Sequence, residues 1–291
     1  MTDSQPIRAA AWMIGAIASF TAMAIAGRAV SHELDTFEIM LFRSIIGVIV
    51  VVSLGTLTGT IRQVQCTRLP HHAMRNLSHF IGQNLWFFAI TVAPLAQVFA
   101  LEFSSPIWAM FLAVVVLGEK LTRLRLITAF IGFVGVLIVT EPWTAQLSPG
   151  IIAAAVAAIG FAGSAVTTRL LTRHESITSI LFWLTAMQTV FGLICAGYDG
   201  DIALPSTSSL PGVITISLGG LIAHFCLTRA LSLAPAAVIM PVDFARLPII
   251  IAVGALLYAE PFSATVILGA VLIFGANYAN IRAETRARRN A

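Results

Sequence analysis

Residues 93–119 read APLAQVFALEFSSPIWAMFLAVVVLGE, and residues 234–260 read APAAVIMPVDFARLPIIIAVGALLYAE. A constant offset of 141 positions lays the first stretch on the second. Ala93-Pro94 falls on Ala234-Pro235, Glu102-Phe103 on Asp243-Phe244, and Glu119 on Glu260. The same offset, without a gap, carries Phe20 to Phe161, Arg28 to Arg169 and Phe133 to Phe274. Identity elsewhere is low, but one offset over most of the chain marks a duplicated architecture. Each copy holds five long apolar stretches. Five is odd, so the second copy is expected to cross a bilayer in the opposite sense to the first. The expected fold is therefore an all-α polytopic membrane protein of ten transmembrane helices. These form two inverted five-helix repeats, residues 1–145 and 146–291. That plan is typical of secondary carriers, which bind substrate between the halves near the bilayer midplane.

Outward from this core, composition agrees. Hydrophobic residues make up 58% of the chain and charged residues 10%. Soluble domains carry about 25% charged residues, so this chain lacks the polar groups to cover a globular surface. Stretches near the roughly 20 residues needed to cross the hydrocarbon core recur at about 10–30, 38–57, 74–93, 95–117, 123–140, 149–168, 176–196, 210–233, 235–258 and 262–281. Strand-like alternation is absent, so backbone self-satisfaction in lipid requires helices. The first stretch has the position of a cleaved signal, but it shares in the repeat through Phe20 and Arg28, which favours a retained helix.

Basic residues set the orientation. With the N-terminus inside, the inner loops collect Arg62, Arg68, Arg75, Lys120, Arg123, Arg125, Arg169 and Arg173, and the tail adds Arg282, Arg286, Arg288 and Arg289. The outer loops hold Arg28 beside Glu33, Asp35, Asp199 and Asp201. The positive-inside bias then places both termini in the cytoplasm. A basic tail also suits nucleic acid, but four arginines after a last membrane helix read as topology anchors, and no nucleic-acid partner is expected. Cys66, Cys195 and Cys226 show no paired spacing, so no disulfide framework or metal site is indicated. No phosphate loop is present, and no cofactor is expected.

The third helix carries Asn76, His79, Gln83 and Trp86 at spacings of three and four, on one face. Two readings stand: a wall of a substrate cavity, or hydrogen-bonded packing between helices. Intramembrane charge is costly and by default functional. Glu102 lies about 10 Å below the outer end of its helix, at 1.5 Å per residue. Arg43 lies at a similar depth and is its expected partner. Asp243, the repeat counterpart of Glu102, has Arg246 one turn away. These pairs either lock helices together or serve substrate or proton. Pro106, Pro241 and Pro248 interrupt the two helices that carry the acids, each removing a backbone donor, and are candidate hinges. Glu119 and Glu260 are expected to cap the helices that follow them. Among the aromatic residues, Trp12, Phe20, Trp108, Phe161 and Trp183 are interior candidates, with Trp143 and Tyr278 as interface anchors.

The chain resembles the drug/metabolite transporter superfamily, in its ten-helix EamA-type branch, over essentially its whole length. The marks are Ala93-Pro94, Ser105-Pro106, the run Leu117-Gly118-Glu119-Lys120-Leu121, and Gly132-Phe133-Val134-Gly135-Val136. Ala259-Glu260-Pro261 stands where the first copy has Gly118-Glu119, a departure expected to alter the local turn. The resemblance implies a carrier of small metabolites in the bacterial inner membrane, with a cavity lined by the first four helices of each repeat and no catalytic residue. The run from Asp243 to Pro248, with Arg75 and Ala93-Pro94-Leu95, is similar to bacterial riboflavin importers and S-adenosylmethionine uptake carriers. Amino-acid exporters of the superfamily match these segments less well. The resemblance therefore implies riboflavin import first and S-adenosylmethionine uptake second. An intramembrane enzyme would need clustered nucleophile–base or metal-ligand residues, and only scattered His79, His224 and Glu102 are available. A channel is disfavoured by the inverted repeat and the proline-broken central helices.

Overall fold

The computed structural model describes residues 6–118, 123–141, 148–172, 174–233, 242–243, 245–261 and 263–289. Among them every regular element is helical. We number the helices α1 (Pro6–Val30), α2 (Thr36–Leu57), α3 (Leu69–Val92), α4 (Leu95–Glu102), α5 (Ser105–Leu117), α6 (Arg123–Thr140), α7 (Pro149–Leu171), α8 (Ile177–Ala196), α9 (Leu210–Leu233), α10 (Arg246–Tyr258) and α11 (Ala264–Arg289). Among the described residues six spans are long and apolar enough to cross a membrane, one of them, the fourth expected from the sequence, running from Leu95 to Val116 through α4 and α5, and three apolar helices are shorter. Helix α3 has the length, at 24 residues, but its polar stripe lowers its apolar character. The large hydrophobic side chains left on the outside, among them Ile49, Val115, Phe130, Ile194 and Leu256, form a surface suited to lipid rather than water. This is a multi-pass membrane protein.

Local chemistry explains the helix ends. Asp35 accepts from the Glu38 amide and Glu38 accepts from the Asp35 amide, a reciprocal capping box that starts α2. Ser148 and Ser176 cap α7 and α8 in the same way with single hydroxyls. Pro70, in the first turn of α3, begins that helix several residues earlier than the apolar pattern does, because proline fits where no amide donor is needed. Arg75, expected in an inner loop, is consequently a helical residue and only 6% exposed. Beyond α1, Ser206 donates its hydroxyl and backbone amide to Glu33. These bonds hold the Glu33 carboxyl below its usual range.

Packing between helices follows a reciprocal scheme. Helix α1 lies along α9 and α3 along α7, while α2 pairs with α8 and α6 with α11. Small residues permit the close approach. A Cβ on Gly219 would meet the Ser19 carbonyl at 3.2 Å, and one on Gly160 would meet the Ser78 carbonyl at 2.9 Å. Ser19 and Gly160 are 141 residues apart, as are Ser78 and Gly219. The two contacts are thus the same contact with the copies exchanged.

The turn expected to differ between copies does not. Gly118 closes α5 at φ 67° and ψ 22°, and Ala259 closes α10 at φ 53° and ψ 32°. Both occupy the left-handed region, where a Cβ costs about 1–2 kcal/mol. Ala259→Gly is expected to relieve part of that strain and raise stability by about 1 kcal/mol, after the chain-entropy cost of glycine. Thermal unfolding of the purified protein checks this; an unchanged or lower midpoint would contradict it.

Candidate functional site

The break in the fourth span creates the centre of the molecule. Helix α4 ends at Glu102, and α5 begins at Ser105 with Pro106 in its first turn. Around the break, Ser104 donates to the Leu101 carbonyl at 2.6 Å, and Asn277 of α11 donates to the Phe103 carbonyl at 2.8 Å. The bend is therefore held by side chains and not left with bare carbonyls in lipid. Pro248 sits at the third position of α10, where it starts a helix rather than kinking one. Pro241 lies outside the described residues, as do Glu119 and Trp143.

At this break the charges converge: Asp243 pairs with Arg246 as expected, but Glu102 pairs with Arg246 rather than with Arg43. Arg246 Nη2 donates to Glu102 Oε1 at 3.0 Å and to Asp243 Oδ2 at 3.1 Å. One guanidinium thus serves both acids. The reason is topological: the break brings the start of α10 against α4, so Arg246 reaches across the repeat. Glu102 Oε2 accepts from Trp86 Nε1 at 2.8 Å, which draws one member of the α3 stripe into the cluster. Phe20, Phe99 and Phe103 surround the guanidinium, with ring centres 4.9, 5.2 and 4.9 Å from its carbon. These rings favour the cation. The cluster thus holds two carboxyl groups and one guanidinium. Asp243 Oδ1 and Arg246 Nε are buried without a partner.

Arg43, the expected partner of Glu102, pairs with no carboxylate among the described residues. Its Nη1 approaches Met40 Sδ at 3.6 Å, and its guanidinium lies against Gly220. With His224, Gln188 and Ser217 it lines a cavity of about 20 Å³ between α2, α8 and α9. His224 meets Phe20 edge-on at 5.7 Å and His79 at 6.3 Å. His79 in turn contacts Phe161 at 5.8 Å, so Phe20 and its repeat counterpart Phe161 both border this centre. Gln83 is buried on the same face of α3. Asn76 is buried but faces another neighbour: it donates to the Trp183 carbonyl at 2.8 Å and accepts from Arg75 at 2.8 Å. Trp183 donates to the Gln65 carbonyl and so anchors the loop before α3. Trp108 is half-buried on α5. Trp12 is 37% exposed and packs edge-on against Phe225, a correction to its interior assignment; the first turns of α1 turn that face outward. Tyr278 is exposed, as an interface residue would be.

A second ionic knot joins helix ends. Glu260 forms an ion pair with Arg28 of α1 and accepts from the Leu95 amide at 2.9 Å. The Arg28 guanidinium lies 4.3 Å from the Tyr258 ring centre. Glu260 was expected to cap the helix after it; it caps α4 instead, an element of the other repeat. An N-terminal amide of α4 has no partner within its own helix, and the tight turn at Ala259 aims the carboxylate at it.

Sequence reasoning missed Phe99, Phe103, Tyr258 and the interior position of Arg75. For the first two a signal existed, since Phe99 and Phe103 flank Glu102 within one turn.

A membrane protein with a closed polar and aromatic centre at a broken helix has the build of a transporter. Comparison with known proteins agrees. The EamA-like transporter family matches residues 7–141 and again 148–281, so the chain belongs to that family. It is 30% identical to a riboflavin transporter of Brucella anthropi over 96% of this chain and 100% of that one. It is 26% identical to an S-adenosylmethionine uptake transporter of Rickettsia felis, over 95% of this chain and 93% of that protein. A pseudopaline exporter of Pseudomonas aeruginosa is 25% identical over 90% and 92% of the respective lengths. A solved crystal structure shares the fold with a TM-score of 0.65 at 18% identity, covering 98% of this chain and 99% of that one.

Proposed function

We propose that this chain is a secondary active carrier. It moves a small metabolite across the bacterial inner membrane by alternating access of two inverted five-helix halves, residues 1–145 and 146–291, with both termini in the cytoplasm. The observation that carries the reading is the ion pair between Glu102 of the first half and Arg246 of the second, beside a broken helix. It joins the halves where a substrate would lie. The reciprocal contacts Ser19–Gly219 and Ser78–Gly160 support the inverted repeat. Riboflavin, taken up from outside, is the substrate we favour: its flat ring suits the Phe20, Phe161 and His79 walls, and its polyol suits amide and imidazole partners such as Gln83 and Gln188.

A specific observation favours a second reading. The cluster of Glu102, Asp243 and Arg246 has one carboxylate more than guanidinium, which suits the sulfonium and ammonium of S-adenosylmethionine. Proteoliposomes holding the purified protein separate the two. Saturable uptake of labelled riboflavin, competed by unlabelled riboflavin and not by S-adenosylmethionine, is the expected result. The reverse competition establishes the second reading, and uptake equal to that of empty vesicles for both compounds overturns both.

A further inference from the structure

Two arginines lie inside the bundle without an acid. Arg43 of α2 is 9% exposed and Arg75 of α3 is 6% exposed. Among the described residues neither pairs with a carboxylate. Arg75 is held by neutral groups, with Nε donating to Thr168 Oγ1 at 3.1 Å and Nη1 to Asn76 Oδ1 at 2.8 Å. Arg43 has the soft Met40 sulfur. Each guanidinium carries five donors, so these contacts leave much of their capacity unused. Arg43 shares its cavity with His224, His224 lies 6.3 Å from His79, and His79 is one helical turn from Arg75 on α3. Two further nitrogens of this region, His79 Nε2 and Gln188 Nε2, are buried without a partner. Gln188 shares the small cavity with Arg43.

Uncompensated positive charge is expensive in a membrane interior and marks sites that take a ligand. The opposite charge sits nearby. The Phe20 ring centre lies 4.9 Å from Arg246, which carries the two acids, and 5.7 Å from His224, which lines the cavity of Arg43, so this ring stands between the two groups. The centre is therefore polarised, with a carboxylate excess on one side of Phe20 and a guanidinium excess on the other.

We propose that Arg43 and Arg75 anchor an electron-rich oxygen group of the transported molecule, a carboxylate or the paired carbonyls of a ring imide. The acidic cluster faces its donor or cationic end. This assignment rests on the carrier reading above. It gives the arginines a role in substrate specificity and makes the preferred substrate a dipolar molecule. At about 20 Å³ the cavity beside Arg43 has room for a water molecule only. The substrate group enters as the Phe20, His79, His224 and Phe161 rings part.

Ligand-induced thermal shifts and Kd values of the purified full chain test this, using riboflavin, lumiflavin (the ring without its polyol), S-adenosylmethionine and its decarboxylated form. In Arg43→Gln and Arg75→Gln, affinity for the bound probe is expected to fall roughly tenfold or more, the loss of one charge-assisted bond. The ligand-free midpoint of Arg43→Gln should hold or rise, because an unpaired buried charge has gone. Equal binding of riboflavin and lumiflavin by wild type, both weakened in the variants, identifies the imide as the anchored group. Binding of S-adenosylmethionine but not of its decarboxylated form identifies the carboxylate. Wild-type affinity in both variants overturns the arginine assignment while leaving the carrier reading intact. A drop in the ligand-free midpoint of Arg43→Gln without loss of affinity also overturns it, returning the residue to a structural role. If no probe shifts the wild-type protein, the substrate reading and this assignment fall together.

Discussion

Arg246→Ala is expected to cost this protein about 3–5 kcal/mol, the penalty for breaking a buried ionic contact and leaving its partners unpaired. Glu102 and Asp243 would then face one another with only Trp86 Nε1 to offset them. The space between Phe20, Phe99 and Phe103 would lose the cation that fills it. Arg246→Lys should fall between the two, since an ammonium keeps the charge but lacks the planar fork that Arg246 offers to two acids. Glu102→Gln is the informative contrast. It leaves Arg246 paired with Asp243 at 3.1 Å, one charge against one, and its amide oxygen accepts from Trp86 at the modest cost of setting the amide NH2 towards Arg246. That variant should fold with a midpoint close to wild type, while uptake falls if Glu102 faces the substrate. Tryptophan-fluorescence melts in detergent read the first effect and vesicle uptake the second. An Arg246→Ala protein as stable as wild type would remove the cluster from the structural core. Wild-type uptake by Glu102→Gln would remove it from the transport cycle.

The parts of this molecule that the sequence made legible are those set by periodicity and composition. The 141-residue offset, the length of the apolar stretches and the α3 stripe are one-dimensional patterns. They lead directly to helices and to a buried polar face. The partners of charged residues are a different matter, because pairing depends on how helices lean together. Depth along a helix suggested Arg43 as the partner of Glu102, yet depth says nothing of direction around the helix axis. Arg43 points to the α8 and α9 side, near Gly220 and Gln188, while Glu102 points to α10. Arg75 was counted with the inner loop because it stands at the very edge of the apolar stretch that begins near residue 74, and Pro70 moves the helix start back by more than a turn. Glu260 shows the same limit: its taste for a helix N-terminus was readable, but which N-terminus was not. The turn beside it was expected to change where alanine replaces glycine, whereas Ala259 adopts the left-handed conformation of Gly118, at φ 53°.

A carrier that alternates must hold each end shut with contacts strong enough to persist and weak enough to break, so that a ligand's binding energy can shift the balance. Under the proposed carrier reading, the knot around Glu260 is a second contact of that kind beside the central cluster. Its groups are part-buried, with side chains of Arg28 and Glu260 exposed to 17% and 11%. It joins α1 and α4 of one half to α10 of the other.

Glu260→Ala is accordingly expected to loosen one end of the molecule. Two bonds go at once, the ion pair to Arg28 and the bond accepted from the Leu95 amide. The second loss leaves an N-terminal amide of α4 without a partner. A buried donor stripped of its acceptor costs about 1–3 kcal/mol, which corresponds to roughly five- to 150-fold in the local opening equilibrium. Amide hydrogen exchange over residues 95–98 should accelerate by that factor, since exchange there reports local opening. Glu260→Gln separates the two bonds. Its amide oxygen still accepts from Leu95, so exchange at the start of α4 should stay near wild type, while Arg28 loses its counter-ion and keeps only the Tyr258 ring at 4.3 Å. The pair of variants thus distinguishes a helix cap from an interhelical tie. Faster exchange in both would assign the stability of this end to the Arg28 pair. Unchanged exchange in Glu260→Ala would mean that neither bond holds α4 in place.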